Sequence, residues 1–184
     1  MSGQLPTVLI LASGRGERFT ASGGSGSKLQ ALLQGKTVLQ HTVDAVHASG
    51  LPYHLETASH PGMGDSIAAA VRATPHATGW LILPGDLPLI QPATLHAVAQ
   101  ALAHHAVVRP TFEGQHGHPV GFATLCRDAL QSLKGNQGAA LVVAAYCAIE
   151  LVVTDAGAVT DIDTLADLQR VAQRLAWQAT PAGA

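Results

Sequence analysis

The chain has 184 residues, 47% of them hydrophobic and 12% charged. That length and apolar content fit a single domain over 1–184, with a short flexible tail at 178–184, and exclude intrinsic disorder. Ten basic against twelve acidic side chains give a net charge of −2, which excludes the basic footprint of a binder of nucleic acid or anionic lipid.

The opening stretch, MSGQLPTVLILASG, lacks the basic start and small-residue cleavage site of a secretory leader. The longest apolar run, Ala139 to Ile149, falls well short of the ~20 residues needed to cross a bilayer. The expected location is cytoplasmic. Cys126 and Cys147 are too few for a disulfide framework, and their apolar neighbours predict two buried thiols.

Thr7 to Ala12 is apolar throughout, as a strand covered on both faces should be. Thr37 is placed to cap a helix through VLQHTVDAVHAS that Gly50 stops. Tyr53 to Thr57 reads as a strand, Asp65 to Ala73 as a helix ending before Pro75, and Trp80 to Leu83 as a second buried strand. Pro92 opens a helix through ATLHAVAQALAHH. Ala106 to Phe112 and Pro119 to Ala123 flank a hairpin connection at Glu113 to Gly117. Ala139 to Tyr146 predicts a helix, Ile149 to Thr154 a strand, and Thr164 to Trp177 the closing helix. Strands alternating with helices of about ten residues define an α/β domain with a mainly parallel sheet.

Ligands of such sheets bind beyond the carboxyl ends of the strands. After the first strand comes Ser13-Gly14-Arg15-Gly16-Glu17-Arg18-Phe19, then a glycine-serine stretch from Ser22 to Ser27, then Lys28. Glycine amides with Arg18 and Lys28 suit a triphosphate, although the pattern is neither the Walker nor the dinucleotide fingerprint; the alternative is a surface loop with incidental cations. After the third strand, Pro84-Gly85-Asp86-Leu87-Pro88 sets a carboxylate between two turn-formers. There it either organises the turn or holds a hard cation such as Mg²⁺. In Thr160-Asp161-Ile162-Asp163-Thr164, Asp163 is expected to cap the last helix, with Thr164 competing, and Asp161 to complete a metal site with Asp86. The ten histidines include His104-His105, which point apart on a helix, and His116-x-His118, which lacks the third ligand that zinc needs.

Taken in order, LASGRGERF followed by lysine, PGDLP, GHPVGF, GNQGA and TDIDTLADL resemble the MobA-like nucleotidyltransferases over nearly the whole chain, most closely the molybdenum cofactor cytidylyltransferase branch. The resemblance implies a three-layer, Rossmann-like nucleotidyltransferase fold with helices on both faces of the sheet. It implies transfer of CMP from CTP to the phosphate of molybdopterin or its molybdenum-loaded form, with pyrophosphate released and Mg²⁺ as cofactor. A molybdenum hydroxylase or dehydrogenase is the implied partner. It places nucleotide contacts at Leu11, Ala12, Ser13, Gly14, Arg15, Gly16, Lys28, Gly64, Ser66 and Gly85, with the base read by the 62–66 loop through Ser66. Arg18, Lys28 and Asp86 are the implied catalytic residues, Asp86 and Asp161 the metal ligands, and Gly117, His118 and Pro119 the acceptor side.

This sequence departs from that pattern at Gly16 and Thr20, usually serine and glycine, in a lengthened loop before Lys28, and in a short connection from Glu56 to Gly64. Transfer from GTP, transfer to a sugar phosphate, and a non-catalytic cofactor-delivery module are the rival readings. Ser13 and Asp161, where guanylyltransferase relatives more often carry glycine and asparagine, favour CTP.

Overall fold

A computed structural model describes residues 5–13 and 16–179. Gly14 and Arg15 of the expected phosphate loop, and residues 180–184 of the expected tail, lie outside the described residues. Among the described residues nine strands form: β1 (Thr7–Leu11), β2 (Leu32–Leu33), β3 (Lys36–Thr37), β4 (Tyr53–Glu56), β5 (Gly79–Pro84), β6 (Val107–Phe112), β7 (Gln115–His116), β8 (Val120–Ala123) and β9 (Ile149–Val152). The helices are α1 (Glu17–Ala21), α2 (Val38–Ser49), α3 (Met63–Ala73), α4 (Pro92–Ala101), α5 (Arg127–Gln131), α6 (Ala140–Ala145) and α7 (Leu165–Ala179).

The main sheet runs β4-β1-β5-β8-β6-β7, with β9 also on β6. β4, β1 and β5 are parallel, as are β6 and β9, and β8 is inserted antiparallel between β5 and β6. Alternation along β1 shows why its strand is apolar at every position. Val8 and Ile10 join a core with Val46 of α2 and Leu95 and Val98 of α4. Leu9 and Leu11 face the opposite way, into a core with Ile67 and Val71 of α3, Leu130 of α5 and Val142 of α6. The sheet is therefore the middle of three layers. A third, smaller core joins Phe19, Leu33, Val38, Ile162 and Val171, and it seats α1 and α7 at one end.

Local signals explain most boundaries. Thr37 Oγ1 accepts from Gln40 N, and Gly50 adopts φ 67 at the end of α2, where L side chains other than Asn pay a steric cost. α3 starts two residues ahead of the expected Asp65, because Gly62 and Gly64 let its first turn pass against the 134–137 loop. A Cβ at Gly62 would stand 2.1 Å from Gly135 O, and one at Gly64 2.7 Å from Gln137 O. Among the described residues no helix is long and apolar enough to cross a membrane. Cys126 is buried, and burial pushes its thiol up to about 11. Cys147 is exposed, contrary to expectation, because it turns the chain out of α6 with φ 48.

The start of α7 corrects the expectation for Asp163. Thr164 Oγ1 accepts from Asp167 N at 3.2 Å, while Asp167 Oδ2 accepts from Thr164 N at 2.8 Å and from Asp163 N at 3.3 Å. This reciprocal pair is a capping box with aspartate in the acidic position, so the side chain of Asp163 is left for other work. Burial alone would raise the Asp167 carboxyl, but the hydroxyl and amide bonds at Thr164 outweigh it and hold the group below its ordinary value. Such a group adds stability above the ordinary carboxylate range and loses it as pH falls through the lowered value. Asp167→Ala is expected to cost about 1 kcal/mol at neutral pH, measured by urea unfolding, with the deficit shrinking on acidification.

Candidate active site

β5 ends in a turn fixed from three sides. Gly85 N donates to Leu11 O at 2.9 Å, and Thr42 Oγ1 from α2 donates to Gly85 O at 3.0 Å. A Cβ on Gly85 would come within 2.9 Å of a Leu39 methyl. The next carbonyl, of Asp86, accepts from Ile162 N at 3.0 Å. Ile162 is wholly buried in the α1/α7 core, and on an extended segment its neighbours point the other way. Asp161 and Asp163 are thereby turned toward Asp86, and each of the three can offer an oxygen with all three atoms within 4.8 Å.

Two cations meet this cluster. Lys28 Nζ lies 2.6 Å from Asp86 Oδ2 and 2.8 Å from Asp163 Oδ1, and Arg18 Nη1 lies 2.6 Å from Asp163 Oδ2. The Lys28 and Asp86 side chains are 12% and 13% exposed, whereas Arg18 is 79% exposed. Burial alone would lower the Lys28 ammonium, but Asp86 and Asp163 outweigh it and raise it. Asp161 is raised by burial, with Asp86 and Asp163 adding repulsion.

A cavity of about 370 Å³ opens beside the cluster. Leu11, Ser13, Lys28, Gly85 and Asp86, all named from the sequence, line it. Ala12, Gly16, Gly64 and Ser66 do not line it. Ala12 N donates to Glu56 O, tying β1 to β4, and Gly16 takes φ 63 at the start of α1, its backbone close to that of Lys28. Gly64 is a packing residue under the 134–137 loop. Ser66 is fully buried, its Oγ 2.9 Å from Ser13 Oγ, so it steadies Ser13 and does not open onto the cavity.

A second cavity, of about 580 Å³, lies on the other side of the 134–139 loop; Asn136 borders the first, while Gly138 and Ala139 border the second. Gly117 and His118 line it. Gly117 N donates to Pro110 O and His118 N to Ala158 O, both at 2.8 Å, and a Cβ on Gly117 would stand 2.6 Å from Ala158 O. Pro119 follows a cis peptide bond. Burial lowers the His118 imidazole, against the fields of Asp86 and Asp161. The sequence reading missed Asp163, which the D-x-D alternation around an apolar Ile162 signals. It also missed His60 on the first cavity and Arg109 on the second, which no motif marks, and Asn136 on the first, which lies in the GNQGA motif but was given no role.

The three-layer sheet, the glycine turn at the end of β5, the carboxylate cluster met by Lys28 and Arg18, and the cavity beside it are the features of a Rossmann-like nucleotidyltransferase fold. Residues 44–150 match the family described as MobA-like NTP transferase domain. The chain belongs to that family. A curated relative, "Bifunctional protein GlmU" of Coxiella burnetii (strain CbuG_Q212), is 29% identical over 113 residues, 51% of this chain and 25% of that protein. The matched part thus spans about a quarter of that relative's length. Among solved structures, Rv0371c from Mycobacterium tuberculosis H37Rv shares the fold with TM-score 0.79 at 22% identity, over 92% of this chain and 98% of that one, and has also been solved in complex with manganese. Molybdopterin-guanine dinucleotide biosynthesis protein A from Archaeoglobus fulgidus has TM-score 0.68 at 16% identity, over 94% and 99%.

The three carboxylates fit a hard divalent cation, which takes oxygen ligands and keeps places for water and phosphate. Asp86 Oδ1 is buried without a hydrogen-bond partner, as an oxygen reserved for a ligand would be. In the free protein the Lys28 ammonium bridges Asp86 and Asp163, so lysine and metal compete for the same oxygens. Lys28→Met is therefore expected to raise the affinity of the nucleotide-free protein for Mn²⁺ by about tenfold or more, read by calorimetry. Equal or weaker binding in the variant would show that the two do not compete.

Proposed function

We propose that the protein transfers CMP from CTP to the terminal phosphate of molybdopterin or its molybdenum-loaded form, releasing pyrophosphate in a Mg²⁺-dependent reaction. The observation that supports this reading is a pair of cavities, one lined by Lys28 and Asp86 for the triphosphate and one beside the Gly117-His118-Pro119 turn for the acceptor, with His118 in the field of Asp86 and Asp161. An oxygen of the acceptor phosphate attacks the α-phosphorus, a new P–O bond forms, and the bond to the β-phosphate oxygen breaks. The attacking oxygen is already anionic, so no general base is needed, and the barrier lies in bringing anions together.

Asp86, Asp161 and Asp163 would hold the cation. When bound it neutralises phosphate charge and orients the reacting groups. Lys28, drawn off its carboxylates by the triphosphate, supplies a fixed positive charge, and Arg18 a mobile one. Ser13, steadied by Ser66, offers a hydroxyl at the start of the phosphate loop. The product would pass to a molybdenum hydroxylase or dehydrogenase, in the cytoplasm. The name of the Archaeoglobus fulgidus neighbour favours a second reading, in which GTP is the donor to the same acceptor.

Pyrophosphate release with Mg²⁺, molybdopterin and each nucleoside triphosphate in turn separates these. CTP-dependent release is expected, equal or better use of GTP would move the assignment to the guanylyl reading, and no release with any nucleotide would sink both. Asp86→Asn should cut turnover by about two to three orders of magnitude, the scale of losing one electrostatic stabiliser, with the circular dichroism spectrum unchanged.

A further inference from the structure

The carboxyl edge of the sheet acts as a ruler. β4, β1 and β5 are consecutive neighbours, so the end of β4 lies two strand spacings, about 10 Å, from the end of β5. Asp86, at β5, marks the phosphate end of the nucleotide cavity. At β4 the cavity is bounded by His60, followed by Pro61, Gly62 and Met63. A nucleoside triphosphate laid with its α-phosphate at Asp86 therefore directs its base toward His60.

His60 is held by an unusual carboxylate. Glu56, the last residue of β4, is 7% exposed. Its Oε1 accepts from Ala58 N at 3.1 Å and lies 3.2 Å from His60 Nε2, while Oε2 lies 3.2 Å from His54 Nε2. Burial alone would raise the Glu56 carboxyl, but the two imidazoles and the amide outweigh it and lower it, so it is an acceptor only. Each histidine must then present Nε2–H to it. The remaining polar atom of the His60 ring is Nδ1, and among the described residues His60 makes no other hydrogen bond. With one proton on the ring, fixed at Nε2, Nδ1 is an acceptor.

We propose that His60 is a specificity-determining residue that accepts a hydrogen bond from the exocyclic amino group of the nucleobase, and that Glu56 is the positioning residue that fixes its tautomer. The inference rests on the nucleotidyltransferase reading and deepens it: an amino-bearing pyrimidine such as cytosine satisfies Nδ1, whereas uracil presents a carbonyl oxygen at the same place. Two acceptors facing one another leave both unpaired, the situation that gives polar sites their strongest rejection of near-identical ligands. Ser66, buried against Ser13, has no such access.

The test measures CTP and UTP binding by calorimetry, and kcat/KM with both nucleotides, using the full chain. The wild-type protein should favour CTP. His60→Ala should narrow the CTP:UTP ratio by about tenfold or more. Glu56→Gln should shift it further toward UTP, because an amide can donate to Nε2 and let the ring carry its proton at Nδ1. His54→Gln, which touches the other Glu56 oxygen but does not line the cavity, should leave the ratio unchanged. Thermal melting of each variant separates loss of fold from loss of discrimination. An unaltered ratio in folded His60→Ala, or an equal loss for both nucleotides in Glu56→Gln, would overturn the proposal while leaving the nucleotidyltransferase reading in place. Failure of the wild-type protein to bind either nucleotide would overturn this proposal together with the CTP reading.

Discussion

One backbone hydrogen bond, from Ile162 N to Asp86 O, sets the geometry on which the site depends. It joins a turn at the end of β5 to the segment entering α7, two stretches 76 residues apart in the chain as their residue numbers show. Burying Ile162 stabilises the contact on the order of 2 kcal/mol, and the same burial decides which way its two neighbours face. Three carboxylates that repel one another are thus gathered by an apolar side chain between two of them. Lys28 and Arg18 then offset the repulsion. The electrostatic centre is held by packing, and the charges do not hold themselves.

The direction of β8 matters equally. Parallel strands deliver only their carboxyl ends to the ligand edge. Because β8 runs against β5 and β6, its beginning arrives there instead, and with it Gly117 and His118. A second cavity can then lie one strand away from the first. A sheet parallel throughout would carry that turn to the far edge.

Much of this was legible in the residues, and the misses have physical reasons. The elements β1, α2, β4, α3, β5, α4, β6, β8, α6, β9 and α7 follow from period, caps and turn-formers, which are local, whereas the short α1, β2, β3, β7 and α5 carry no such signal. Asp86 came from a local motif at a strand end and Asp161 from one just ahead of the last helix. Asp163 was assigned to capping because it precedes a helix; the three-residue relation between Thr164 and Asp167 outcompeted it. Ser66 follows a glycine-rich turn, which argued for exposure, but the start of α3 passes beneath the 134–137 loop and buries it. His60 and Arg109 had no motif, since a cavity lining is a property of tertiary packing.

That same loop is a party wall. Gly135 N donates to Asp65 Oδ2 at 2.8 Å and Gly135 O accepts from Gly64 N at 2.9 Å, so it is stapled to the helix beside the first cavity, while its last residues border the other cavity. Whatever occupies one room leans on masonry shared with the next. Any free energy that an occupant of one cavity transmits through the wall is returned in equal measure by an occupant of the other, so two molecules that never touch would still register each other's arrival.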